Sequence, residues 1–235
     1  MIDTLILAAV LIPCLVIAIV CHEVAHGWMA LALGDPTAKN QRRLTLNPVR
    51  HVDPVGTLLV PGFLALVSGP VFGWAKPVPV NKYRLRNPRY GMMAVAAAGP
   101  GTNIVLALLG AVALGVVAGL LSVPPTGALE WMIVALNYFI LINIFLAFFN
   151  LLPIPPFDGS HILEGLLPRS WAAGYEKLRP LGMILFVMLI AATWAFPQWG
   201  LIERIVLPPV EWLREHVMAF AVTIAQGVDA MRGAG

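Results

Sequence analysis

The feature that most restricts the fold of this chain is the length of its apolar runs. They cover about residues 5–33, 90–121, 128–152 and 181–196. Only 11% of the residues are charged and 59% are hydrophobic, so the charges are too few to cover a soluble globule. Inside a bilayer, runs of this length satisfy their backbone hydrogen bonds as helices. The sequence therefore predicts an all-α polytopic membrane protein built as a helical bundle.

The sequence also argues against a signal peptide, a disulfide bond and a nucleic-acid partner. No positive charge precedes the run and no small-residue cleavage pattern closes it, so we expect a retained span and not a signal peptide. Cys14 and Cys21 fall two turns apart on one predicted helix, too far for a disulfide. No basic run with interleaved aromatic residues occurs, so nucleic acid is not expected as a partner.

The placement of positive charge predicts the topology. Basic stretches at residues 39–50 and 82–89 flank residues 56–73, an apolar run broken by glycine and proline. Because positively charged loops stay on the cytoplasmic side, both stretches share that side only if residues 56–73 enter and leave by one face. We therefore expect a membrane-embedded hairpin or broken segment that lines a cavity, since non-helical backbone at membrane depth needs polar partners.

The segments on either side of the main bundle have their own patterns. Residues 74–81 contain alternating prolines, which forbid a helix and favour a short extended strand. Residues 210–231 mix charges with spaced apolar side chains, as in an interfacial amphipathic helix or a short span. The predicted organisation is a membrane-embedded domain at residues 1–206 and a C-terminal helix at residues 207–235.

A polar cluster interrupts the first apolar run. On a helix, His22 and His26 lie one turn apart on one face, so both imidazoles can reach one metal ion. Glu23 projects beside them, where it can take a proton from an attacking water molecule. The His-Glu-x-x-His spacing is a zinc-hydrolase signature, and polar groups in hydrocarbon are too costly to be incidental.

A catalytic zinc ion needs a third protein ligand. The acidic and histidine side chains outside the first run offer five candidates: His51, Asp53, Asp158, His161 and Glu164. Asp158 is favoured because it follows the cytoplasmic end of the third span, and His26 lies roughly 10 Å from the same end of the first.

The alternatives for these residues are structural. Asp158 can instead cap the short helix that follows it. His51 is expected to be solvated in a loop and Asp53 to form a turn with Pro54. His161 and Glu164 are expected on another side of the short helix, as non-ligands.

Several motifs in order resemble the site-2 protease family of intramembrane zinc metalloproteases, in its compact bacterial type without an inserted PDZ or CBS domain. The matching stretches are residues 22–26 (HEVAH), 47–57 (NPVRHVDPVGT), 73–81 (GWAKPVPVN), 98–103 (AGPGTN) and 150–159 (NLLPIPPFDG).

The resemblance implies one Zn²⁺ per chain, bound by His22, His26 and Asp158, with Glu23 as the catalytic acid and base. It implies a role near the metal for Asn150, and for Asn103 in the same support of substrate or transition state. It also suggests that an extended element pairs with an unwound substrate strand, and its residues here are Lys76, Val78 and Val80.

The expected activity is hydrolysis of peptide bonds in or near transmembrane segments of membrane-protein substrates, as in regulated intramembrane proteolysis. The expected location is the bacterial inner membrane, with the lipid bilayer as a partner and the zinc site nearer the cytoplasmic side. The alternative is a membrane zinc-binding or ion-transport protein without proteolytic activity. It is less favoured, because the ionisable groups cluster at one depth and no inverted repeat is visible.

Overall fold

The computed structural model describes residues 2–66, 73–121 and 123–233. Helices account for most of them, and short 3₁₀ or π-helical turns connect several of these helices. The helices are α1 (Ile2–Ala32), α2 (Thr37–Asn40), α3 (Val60–Leu66), α4 (Pro88–Leu120), α5 (Ala128–Asn150), α6 (Asp158–Leu166), α7 (Arg169–Glu176), α8 (Gly182–Ala195), α9 (Leu201–Ile205) and α10 (Leu207–Gly233).

Four helical segments among these residues are long and apolar enough to cross a membrane, which confirms the polytopic prediction. They are Leu5–Ala32, Pro88–Leu120, Ala128–Asn150 and Arg169–Ala195. The second begins slightly earlier than expected, because the Asn87 side chain accepts hydrogen bonds from the backbone N–H groups of Arg89 and Tyr90. Asn87 thereby caps the helix, with Pro88 in its first turn.

Helix α4 is the centre of the bundle and packs on α1, α5, α6 and α10. Its glycines allow close approach: a Cβ at Gly115 would lie 2.5 Å from the Ala221 carbonyl oxygen, and one at Gly119 equally close to that of Ala225. The predicted C-terminal helix is therefore packed along α4 and α5, with Val210 and Val217 in the shared core. It begins at Leu207, at the predicted domain boundary, and is not among the four candidate spans.

The segment expected to form a hairpin returns to where it began. Trp74 N donates to Gly56 O at 3.1 Å, and Thr57 Oγ1 donates to Trp74 O at 2.9 Å. Between these points lie the end of the π-helical turn Pro54–Leu59 and α3, whereas residues 67–72 of the predicted hairpin lie outside the described residues. The adjacent ends agree with entry and exit by one face.

The short strand expected at residues 74–81 is not confirmed. No regular strand occurs among the described residues, and this segment is irregular. Its backbone groups bond to the carbonyls of His51 and Gly56, which lie in helical turns, and to side chains, not to a neighbouring strand. The physical reason is that Pro77 and Pro79 have no N–H, so they cannot donate to a strand ladder.

Candidate metal and active site

His22 and His26 lie on one face of α1, as their spacing predicted. Both side chains are buried, with 6% and 9% of their surface exposed, and their ring centroids are 4.6 Å apart. Each ring has one nitrogen bound to α4. The remaining Nε2 atoms point to a common position.

The partner on α4 determines which nitrogen of each ring carries the proton. Asn103 donates through Nδ2 to Asn143 Oδ1 at 2.8 Å and to Ala18 O at 3.3 Å, so its Oδ1 is the atom that accepts from His22 Nδ1 at 2.5 Å. His26 Nδ1 donates to the Val95 carbonyl at 2.7 Å. Both Nε2 atoms are left with a free lone pair, the arrangement that fixes metal-binding imidazoles.

Asp158 completes the cluster. Its Oδ2 lies 3.1 Å from His22 Nε2 and 3.4 Å from His26 Nε2. Helix α6 begins at this residue with Phe157 as its N-cap, so the carboxylate faces the histidines and does not cap the helix. A Cβ at Gly159 would overlap the Leu151 carbonyl, and the absence of one lets α6 fold back against the end of α5.

The donor set of this cluster suits a metal ion. The three ligand atoms lie within 4.8 Å of one another. Two imidazole lone pairs directed at a carboxylate repel it unless a proton or a cation lies between them. Two histidines and one carboxylate, with a further position open, is a common set for catalytic zinc.

A cavity of about 410 Å³ lies beside this cluster, between Glu23 on α1 and the segment around Val78 that faces α1. The Glu23 carboxylate accepts a hydrogen bond from Val78 N at 2.8 Å. The residues lining the cavity are His22, Glu23, His26, Pro77, Val78, Val80, Lys82, Met92, Val95, Ala96, Asn150, Pro156, Asp158, His161 and Arg179.

The cavity includes most of the residues predicted to support substrate. Asn150, Val78 and Val80 line it, whereas Lys76 does not. Asn103 is fully buried behind His22, so its contact is with a histidine and not with the cavity.

Four side chains differ from the sequence predictions or were missed by them. His161 lines the cavity together with Asp158, since residues three apart share a face of α6, so its expected placement on another side is wrong. His51 is buried, with 3% exposed and Nε2 bound to the Thr45 carbonyl, so the solvated prediction is also wrong.

Lys82 and Arg179 also line the cavity. They form ion pairs with Glu176 and Glu164, respectively. These pairs were not predicted, because the partners lie far apart in the sequence.

His161 should make the stability of the protein fall at acidic pH. Burial, and then the positive charge of Arg179, lower the pKa of His161 from 6.5 to about 4. Between pH 6.5 and 4, His161 is therefore protonated in the unfolded chain but neutral in the folded chain. Its contribution to the free energy of unfolding is complete above pH 6.5 and decreases as the pH falls towards 4. At pH 5.5, replacing His161 by glutamine should recover on the order of 1 kcal/mol.

Thermal unfolding of chelator-treated wild type and His161→Gln in detergent, from pH 7.5 to 5, measures this difference. The melting temperature of the variant should decrease less steeply. Parallel curves for the two proteins would mean that His161 is protonated equally well in both states.

A bundle of membrane-spanning helices that buries two histidines and an aspartate beside a glutamate defines the class of intramembrane metalloenzymes. Comparison with known proteins agrees. The sequence profile of peptidase family M50 matches residues 10–192. The chain therefore belongs to this family, and it is a zinc metallopeptidase of the site-2 protease type.

Several relatives carry the name "Putative zinc metalloprotease", among them the following three. YwhC of Bacillus subtilis is 39% identical over 76% of this chain and 78% of its own length. Rip2 of Mycolicibacterium smegmatis is 29% identical over 76% of this chain and 64% of its own length. MJ0611 of Methanocaldococcus jannaschii is 36% identical over 55% of this chain and 61% of its own length. No solved structure matches the chain significantly.

Proposed function

We propose that this protein hydrolyses peptide bonds in or near transmembrane segments of membrane-protein substrates, using one Zn²⁺ per chain held by His22, His26 and Asp158. The observation that carries the proposal is the convergence of two imidazole Nε2 atoms and one carboxylate oxygen beside Glu23, within a bundle of apolar helices. A metal site alone would not require Glu23.

The chemistry divides between the ion and the chain. Zinc, when bound, polarises the scissile carbonyl and acidifies a water molecule. Glu23 takes the proton of the attacking water and returns it to the leaving amine. Its side chain lies in the same cavity as the three ligands and reaches across to Val78.

Two asparagines serve this site in different ways. Asn150 donates one Nδ2 hydrogen to Leu146 O at 2.9 Å, which leaves its second hydrogen available for a substrate carbonyl in the cavity. Asn103 acts through His22, because its Oδ1 holds the Nδ1 proton and so keeps Nε2 free to bind metal. Asn150 thus supports substrate, whereas Asn103 supports the ligand.

A substrate helix must unwind before it can be cut, because its carbonyls are engaged in hydrogen bonds along the helix. Residues 76–80 lie opposite α1, and Val78 and Val80 line the cavity. We propose that this segment holds the unwound substrate, with backbone contacts and the two valine side chains selecting an apolar stretch. The Lys76 side chain, outside the cavity lining, would contact flanking polar residues.

The sidedness follows from charge. Beyond His26, α1 has only about another 10 Å to run before the chain reaches the basic residues Lys39, Arg42 and Arg43. Positive charge at this end supports a position on the cytoplasmic side of a bacterial inner membrane. The zinc site would then receive its water from the cytoplasm. A cut at this depth would release a cytoplasmic fragment, the output expected in regulated intramembrane proteolysis.

Zinc-dependent cleavage of a single-span membrane protein tests the proposal. The zinc-loaded protein in liposomes should cleave such a substrate. A chelator should reduce the rate at least ~100-fold, because a metal contributes several kcal/mol of transition-state stabilisation. Added Zn²⁺, but not Mg²⁺, should restore it, with one bound Zn²⁺ per chain by elemental analysis. Zinc binding or zinc flux without cleavage of any single-span protein would instead support the ion-transport alternative.

A further inference from the structure

The carboxylate of Glu23 is held by one backbone hydrogen. Residues 77–79 are Pro-Val-Pro, so Val78 supplies the only N–H of this stretch. That N–H donates to Glu23 Oε2 at 2.8 Å. Hydrogen bonds to a charged acceptor are stronger than neutral ones and fix its orientation. The position of Glu23 therefore depends on the position of the proline-flanked segment.

Arg43 fixes this segment before Val78. Its guanidinium Nη2 donates to Lys76 O at 2.7 Å and to Pro77 O at 3.4 Å, and Lys76 N donates to His51 O at 2.8 Å. Arg43 is buried, with 6% exposed. In the part of the chain that the structure describes, no carboxylate pairs with it, and its Nε has no partner. Burying a guanidinium charge with only backbone carbonyls as partners costs folding free energy. This cost argues that the position of the carbonyls it holds is important.

Asp35 fixes the same segment after Val78. It is fully buried, and its Oδ2 accepts from Asn81 N at 2.6 Å. Its Oδ1 accepts from the backbone N–H and the hydroxyl of Thr37, at 3.0 and 2.5 Å. Asp35 follows the end of α1, the helix that carries Glu23, so it ties the segment to that helix.

We propose that Arg43 and Asp35 are positioning residues for Glu23, acting through the Val78 N–H. The proposal rests on the proposed function for its effect on rate, but the contact itself is independent of catalysis. A glutamate side chain has three rotatable bonds, and a misplacement of about 1 Å can cost ~100-fold in rate. Two anchors on either side of a stiff proline-flanked donor remove that freedom.

The experiment uses the full-length zinc-loaded protein in detergent. The principal variants are Arg43→Gln, which removes the charge and shortens the side chain but keeps a polar amide, and Arg43→Lys, which keeps one charged donor. Arg42→Gln is the matched control, because the adjacent Arg42 is exposed and, among the described residues, its side chain forms no hydrogen bond or ion pair with residues 74–81. Asp35→Asn tests the second anchor. Cleavage gives kcat and KM separately, and elemental analysis gives zinc content.

A second measurement does not need activity. Hydrogen exchange, followed by mass spectrometry with fragmentation to isolate Val78, reports directly whether its N–H is bonded. In wild type this amide should be protected, and in Glu23→Ala it should exchange faster. The same acceleration is expected in Arg43→Gln, with Arg43→Lys in between and Arg42→Gln unchanged.

With Arg43→Gln, kcat should fall about 10- to 100-fold, while KM and zinc content change little. Arg43→Lys should recover part of the loss. The proposal is overturned if Arg43→Gln lowers kcat while Val78 stays protected, if only KM changes, or if Val78 exchanges freely in wild type. If wild type never cleaves beyond the level of Glu23→Gln, the proposed function fails, and the exchange of Val78 in the Arg43 variants still decides the positioning role.

Discussion

Glu23→Gln is expected to abolish proteolysis while leaving zinc bound. The substitution keeps the size of the side chain, and the amide oxygen can still accept the Val78 N–H that Glu23 accepts at 2.8 Å. What it removes is the ability to take a proton from water. General acid–base catalysis of this kind contributes about 10²- to 10⁴-fold, so the rate should fall by that factor or to background.

The measurement is cleavage of one single-span substrate by both proteins at matched zinc content. Glu130→Gln is a suitable control, because Glu130 is an exposed residue in the first turn of α5, at the end of that helix far from the cavity. Its rate should equal that of wild type. If Glu23→Gln retained the wild-type rate, another group would have to act as the base.

Gly99→Ala is expected to abolish high-affinity zinc binding. A Cβ at this position would lie 2.5 Å from His26 Cε1 and 2.6 Å from both Cε1 and Nε2 of His22. These distances are well inside van der Waals contact, and His22 Nε2 is itself a proposed ligand atom. Changes that merely disturb ligand orientation cost about 10- to 100-fold in metal affinity, and a methyl group displacing two ligands should cost at least the upper value.

Gly101→Ala, in the same motif, is the matched control. Apart from the neighbouring residues and backbone of its own helix, no heavy atom lies within 4 Å of a Cβ built there, so zinc affinity should not change. Competition with a chromophoric zinc chelator measures both affinities. Should Gly99→Ala bind zinc as tightly as wild type, α4 would have to lie farther from the imidazoles than the structure shows. A melting temperature for each variant separates loss of zinc from loss of fold.

The candidate metal ligands and the candidate base could be predicted from local sequence patterns. His22, Glu23 and His26 sit within five consecutive positions of one helix, so helical geometry alone places their side chains. Asp158 could be selected because the topology predicted from basic loops returns the third span to the same side. The apolar runs also located the spanning helices within a few residues, since length and hydropathy govern crossing of a bilayer.

Features set by contacts between distant segments could not be read from the sequence. His51 is buried because its ring binds the Thr45 carbonyl in a folded loop, although it directly follows a basic stretch of the sequence. His161 faces the cavity because α6 folds back against α5. Arg43 looks like an ordinary basic loop residue, and only the approach of Lys76 shows its role.

The sequence by itself determined the class of the protein and the chemical identity of its candidate ligands, because both follow from composition and from spacing along single helices. Tertiary structure decided which nitrogen of each imidazole carries the proton, the position of Asp158 beside the histidines and the contact that orients Glu23. Each of these depends on groups far apart in the chain meeting at hydrogen-bond distance. Such meetings are set by how α1, α4, α6 and residues 74–81 pack together, which no local pattern specifies.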